Sequence, residues 1–247
     1  MNSKSATLLA QHGHWQAIFE VMKQRATHSD QRSFRGLILG GILLAMGLCV
    51  GANALFEQSL PLKSLPVLTK VQADLVATER TGRSVKFSDL KGKVVVCAYL
   101  YTVCPHGCAA ITAQMQLLLK RFGERADFHL LSVAIHPDRD TPALLTNYAE
   151  AVGAKPDSPW WFVTGEQKSL WNFMTQELHL EPAKAIPEDE RVNPLDHYEH
   201  DLRMVLIDRQ GQVRRYYSVY HPQPEIAALM CENLPQDVQR LLDHPEL

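Results

Sequence analysis

The chain has 247 residues, a hydrophobic share of 46% and a formal net charge of −2. That is ample material for a core in one large domain or two small ones, and the near-neutral balance excludes a protein that works by neutralising nucleic-acid phosphates. Five cysteines are too few to scaffold a chain of this size, and their odd number leaves thiols over.

Residues 1–35 set Lys4, Lys23, Arg25, Arg32 and Arg35 against Glu20 and Asp30, with Leu8, Trp15, Ile18, Phe19 and Met22 near a helical stripe. The segment reads as a short amphipathic helix at a membrane surface, with a partner-binding arm as the alternative. Residues 36–56 carry no charge, and the run is long enough to cross the hydrocarbon of a bilayer as a transmembrane helix. It reads as an uncleaved anchor. Both its apolar core and the segment before it are longer than in a cleaved signal, and Leu48 stands before Cys49 where a lipoprotein site needs a small residue. Basic residues are denser before the span than after it, which predicts residues 1–35 in the cytoplasm and the rest of the chain in the periplasm or an equivalent compartment.

Residues 57–70, with Pro61 and Pro66, read as a tether, and the folded domain is predicted over 71–247. A hairpin is expected around Thr81-Gly82. The run from Val94 to Tyr101 is β-branched and aromatic, which suits a strand buried on both faces. After Cys108, the residues Ile111, Met115, Leu118, Leu119 and Phe122 recur at helical spacing and commit one face to a core. Further strands are predicted at Phe128 to Ile135, Trp160 to Val163, Leu202 to Asp208 and Val213 to Tyr220. Helices are predicted from about Thr141 to Val152, from Lys168 to Gln176, and from Pro224 onward. Glu177 to Glu199 shows no usable periodicity, and long irregular loops within compact domains are often functional. Strands alternating with helices imply an α/β fold, a central mixed sheet with helices on both faces.

The stretch that carries chemistry is Cys104-Pro105-His106-Gly107-Cys108, at the passage from strand to helix. Pro105 is a residue favoured where helices begin, and Cys108 lies on the helix's apolar stripe, so Cys104 is expected to be the more exposed sulfur. Free N–H groups and the positive dipole end at a helix start favour a thiolate there. Thiolates attack disulfides, and they also bind soft metal ions.

Four stretches together resemble the SCO/SenC family of membrane-anchored, thioredoxin-like copper chaperones for cytochrome oxidase. They are Leu90-Lys91-Gly92-Lys93-Val94-Val95-Val96, the dithiol motif, Pro137-Asp138-Arg139-Asp140-Thr141-Pro142, and His200 with Leu206-Ile207-Asp208-Arg209-Gln210-Gly211 after it. The resemblance covers about 65–245 and the anchor. It implies a thioredoxin-like fold and one copper ion held by Cys104, Cys108 and His200. By residue type alone His200 reads as a polar group satisfying the backbone at a strand start, and only the family position makes it a ligand. The implied partner is the oxidase subunit that carries the dinuclear copper centre, with other copper carriers or thiol reductants as further partners. Thiolate suits Cu(I) and imidazole accepts either oxidation state. The chain departs from the family at Ala109 (usually proline), Glu199 (commonly aspartate), Asp201 (usually serine or threonine) and His136 (typically aspartate).

The same two sulfurs would serve a thiol-disulfide oxidoreductase in which Cys104 attacks and Cys108 resolves. The C-x-x-x-C spacing, where reductases of this fold use C-x-x-C, favours copper. A peroxidase of the same superfamily needs a serine or threonine three residues before the reactive cysteine, and Tyr101 stands there. His106, His136, His197 and His221 read as solvated or supporting residues, and Cys97 as a small buried hydrophobe. Asp138, Arg139 and Asp140 are expected to cap the helix that follows.

Overall fold

The computed structural model describes residues 64–246, together with 41, 42 and 44–48. Residues 41, 42 and 44–48 are helical. The segment 1–35, most of the expected span 36–56 and the first part of the tether lie outside the described residues. Among the described residues, no helix is long and apolar enough to cross a membrane.

Residues from Ser64 onward form one compact unit. Its strands are β1 (Thr69–Lys70), β2 (Val76–Glu79), β3 (Ser84–Lys86), β4 (Val94–Leu100), β5 (Phe128–Ala134), β6 (Trp160–Thr164), β7 (Lys184–Ala185), β8 (Tyr198–Glu199), β9 (Met204–Ile207) and β10 (Gln212–Tyr217). The helices are α1 (Cys108–Phe122), α2 (Pro142–Ala151), α3 (Gln167–Asn172) and α4 (Pro224–Asp243). Eight strands form one sheet in the order β1-β10-β9-β4-β5-β6-β2-β3, while β7 and β8 pair separately. β4, β5 and β6 run parallel and their outer neighbours antiparallel, so the sheet is mixed as expected.

β4 is central, and every residue in it is buried. Its alternating side chains feed two cores, because successive strand residues point to opposite faces. Val94, Val96, Ala98 and Leu100 join Ile111, Met115, Leu118 and Phe122 of α1, with α2 and α4 on the same face. Val95, Cys97, Tyr99 and Tyr101 join Leu170 of α3 and the π turn Phe173–Glu177 on the other. Each fully buried apolar side chain of this size contributes about 1.5–3 kcal/mol, so the four-residue stripe alone holds α1 firmly on the sheet.

The folded unit starts earlier than the sequence implied. Leu65 is buried, β1 pairs with β10, and the buried Arg214 guanidinium donates to the Leu65 carbonyl while pairing with Asp208 at 2.8 Å. The part of the expected tether from Leu65 to Lys70 therefore belongs to the fold. The predicted hairpin is present as β2–β3, with Gly82 at φ +83°, a conformation that side chains disfavour. The stretch Glu177 to Glu199 is less irregular than its composition suggested, since β7 and β8 form a small ribbon and Glu188–Glu190 a 3₁₀ turn. Two-residue strands carry no readable period.

Candidate metal centre

The end of β4 and the start of β9 deliver the site. In the antiparallel pairing Val95 lies opposite Ile207 and Cys97 opposite Val205, so the chain before β9 runs past the end of β4. That is where Tyr101 turns into the dithiol loop, with the Cys104 N–H donating to the Tyr101 carbonyl at 3.1 Å. The ligand atoms of Cys104, Cys108 and His200 come within 4.8 Å of one another. Both sulfurs are free thiols; Cys108 is buried and Cys104 only partly so, which is the order of exposure expected.

α1 begins at Cys108, with Gly107 as the residue before it, so Pro105 is not the first helical residue. The N–H groups at the helix start still act on Cys104. The His106 N–H donates to its sulfur at 3.4 Å, and the Cys108 N–H also supports the thiolate. The Cys104 thiol is lowered from its ordinary 9.0 to about 4, first by the hydrogen bond from Cys108, against burial. Cys108 moves the other way, raised by that same hydrogen bond and by burial. One proton shared by two sulfurs explains the opposite shifts, and the exposed member keeps the charge.

His200 is set by its own backbone neighbourhood. Its Nε2 lies 3.2 Å from the Cys108 sulfur and its Nδ1 lies 2.9 Å from the Asp201 carbonyl. A donor at Nδ1 leaves Nε2 facing the sulfurs, the tautomer that a metal needs. The Asp201 carboxylate fixes the turn by accepting from the Glu181 and Arg203 N–H groups, each at 2.8 Å, and from the Arg203 guanidinium. Burial works against its charge, yet these bonds hold the carboxyl below its ordinary value. The sequence marked Asp201 only as a departure; the Asp-x-Arg spacing was the available signal for its role.

Gly107 is required by close approach. A Cβ there would lie 2.6 Å from the Tyr220 ring and 2.8 Å from a Leu202 methyl. Tyr220 and Leu202 also line a groove with Cys104, His106, Ile186 and His200, so the site opens to solvent on that side.

The remaining histidines lie outside the trio. His106 bonds through Nε2 to the buried Asp196 at 3.1 Å. His136 packs against Tyr101, His197 and Tyr198, and burial lowers its pKa. His221 accepts the Gln223 N–H ahead of α4. Cys97 is fully buried, 3.9 Å from the Met174 sulfur. The capping expectation for Asp140 is corrected: Thr141 caps α2, accepting from the Leu144 N–H at 3.4 Å, while Asp140 turns inward to accept from the Thr102 hydroxyl at 2.5 Å. A fully buried carboxyl thus braces the residue next to Tyr101, where the dithiol loop begins.

The SCO1/SenC family profile matches residues 66–234. The chain belongs to the SCO1/SenC family. The SCO1 protein homolog of Bacillus subtilis (strain 168) is 30% identical over 141 residues, which cover 56% of this chain and 68% of that protein. A SCO1/SenC family lipoprotein from Bacillus anthracis str. Ames shares 26% identity at a TM-score of 0.58, over 70% of this chain and 96% of that one. Bradyrhizobium japonicum ScoI, solved with copper bound, shares the fold at 23% identity and a TM-score of 0.53, over 69% of this chain and 99% of that one. BsSco, described as a member of the Sco family of cytochrome c oxidase assembly proteins, does so at 21% identity and a TM-score of 0.57, over 73% of this chain and 98% of that one. The thioredoxin-like sheet of this SCO1/SenC member is thus shared along nearly the whole length of each of these solved structures.

Proposed function

We propose that this protein binds one copper ion through Cys104, Cys108 and His200 and delivers it to the copper-bearing subunit of a cytochrome oxidase. The observation that carries the reading is the convergence of two sulfurs and one correctly presented imidazole nitrogen within 4.8 Å. Two thiolates and one imidazole suit Cu(I). The family membership and the copper-bound ScoI relative support the choice of metal, and the BsSco relative supports the choice of target. The groove beside Cys104 gives a receiving protein's ligands a route to the ion, which supports transfer by ligand exchange. Other copper carriers would load the site by the same route.

The uncharged run 36–56 supports a single membrane anchor with residues 1–35 in the cytoplasm and the copper domain in the periplasm or its equivalent. Fractionation of the full chain tests the anchor. It should sediment with membranes and resist carbonate extraction, and release by carbonate would remove the anchor from this reading.

A second reading has its own support. The low pKa and partial exposure of Cys104 fit the attacking thiolate of a disulfide reductase, with buried Cys108 resolving. The two are separated by mixing the copper-loaded full chain with a reduced, copper-free oxidase subunit, and in a second arm with the same subunit oxidised. Metal transfer with both dithiols staying reduced supports the chaperone. Reduction of an oxidised partner with no metal transferred supports the reductase.

A further inference from the structure

We propose that Asp196 is the positioning residue of the dithiol loop, acting through His106 to hold Cys104 and Cys108 in register with His200. This deepens the copper reading and rests on it for the identity of the ion.

The side chain of Asp196 is 1% exposed. One of its oxygens, Oδ2, takes both of its hydrogen bonds, from the Val192 N–H at 3.3 Å and from His106 Nε2 at 3.1 Å. The other, Oδ1, is buried with no hydrogen-bond partner among the described residues. A carboxyl buried with one oxygen unbonded is costly, so its place in the fold depends heavily on the donors it has. Of the two, only His106 lies between the cysteines.

The same turn is gripped a second time. The Tyr101 hydroxyl donates to the Leu195 carbonyl and accepts from the His197 N–H at 3.0 Å. Tyr101 opens the dithiol loop and His106 stands at its middle, so the loop holds the turn at two points. That turn leads through β8 directly into His200. The loop carrying two ligands and the segment carrying the third are therefore one mechanical unit. Asp196 is the buried pin between them.

Neither His106 nor Asp196 is among the three converging ligands, so loss of the pin acts on metal affinity through geometry alone. Loss of a group that orients metal ligands typically costs about 10- to 100-fold in affinity. Freeing the loop also removes support from the reduced pair, whose Cys104 sulfur accepts the His106 N–H only while the loop holds its geometry. The dithiol-disulfide equilibrium then shifts toward the disulfide, since stabilising the reduced form is what makes such pairs oxidising.

The test uses the reduced full chain and the variants His106→Ala, Asp196→Ala, Asp196→Asn and the double alanine variant. Cu(I) affinity is read by competition with a chromophoric Cu(I) chelator, and the redox equilibrium against glutathione. The two alanine variants should each lose about tenfold in affinity. The double variant should lose no more than Asp196→Ala alone, because the His106–Asp196 contact is already gone in each single variant. Asp196→Asn keeps an oxygen acceptor for both donors and should restore most of the affinity. Both alanine variants should also shift the glutathione equilibrium toward the disulfide. Independent, additive losses, or wild-type affinity in His106→Ala, would overturn the proposal even if Asp196→Ala failed to fold. Should the wild-type chain bind no copper, the copper reading falls, and the pin is judged on the glutathione equilibrium, where an unchanged value in His106→Ala overturns it.

Discussion

His200 presents Nε2 to the Cys108 sulfur at 3.2 Å because its Nδ1 is held by the Asp201 carbonyl at 2.9 Å. Only a metal needs that nitrogen; a disulfide does not. His200→Ala should therefore weaken Cu(I) binding by at least about tenfold while Cys104 and Cys108 still oxidise to a disulfide. Chelator competition and thiol counting read the two effects separately. Unchanged copper affinity would move the assignment to the reductase.

The proton shared by the two cysteines has a pH signature. The Cys104 value is depressed from 9.0 to about 4, so its contribution to stability is complete above pH 9 and is lost as pH falls toward 4. Alkylation by iodoacetamide should proceed at Cys104 down to about pH 4 and spare buried Cys108. Mass spectrometry across pH 3 to 9 gives the profile. An inflection near 9 in the wild type would contradict the described sharing.

Gly107 packs its backbone against Tyr220. In Gly107→Ala the new methyl must displace the tyrosine ring, at a cost of about 1–3 kcal/mol typical of overpacking, and copper affinity should fall with it. Tyr220 is half exposed, so Tyr220→Ala in the same chain should relieve the part of the clash that falls on the ring, leaving the Leu202 contact. Urea melts and chelator competition on the single and double variants check this.

His136 stands where the family typically has aspartate, and it is surrounded by Tyr101, His197 and Tyr198, with Nδ1 buried and unbonded. His136→Asp should leave the copper content unchanged, because His136 is outside the converging trio. It should lower stability by about 1–3 kcal/mol by placing a carboxyl among aromatic rings. Metal analysis beside a urea melt decides the point, and lost copper would place His136 at the ion.

The parts of this fold that carry a period were legible in the sequence. β4 announced itself by an unbroken apolar run and α1 by its stripe, and between them they place the dithiol. His200 was legible only through the family resemblance, since one histidine before a short strand has no signature and its approach depends on the β4–β9 register. The ribbon of β7 and β8, the inward turn of Asp140 and the burial of Asp196 were not legible at all. Two-residue strands show no alternation, and an aspartate beside a turn looks the same in sequence whether it caps a helix or anchors a loop. Leu65 to Lys70 reads as a tether for a similar reason. Its proline composition resembles a tether, but the contacts that hold it come from Arg214, far along the chain.

Copper stoichiometry tests the central claim most directly. The reduced full chain, titrated with Cu(I) under anaerobic conditions, should bind one equivalent tightly, with none retained at that affinity by Cys104→Ala or Cys108→Ala. A cysteine variant that still held one tight equivalent, or a wild-type chain that held none, would contradict the account.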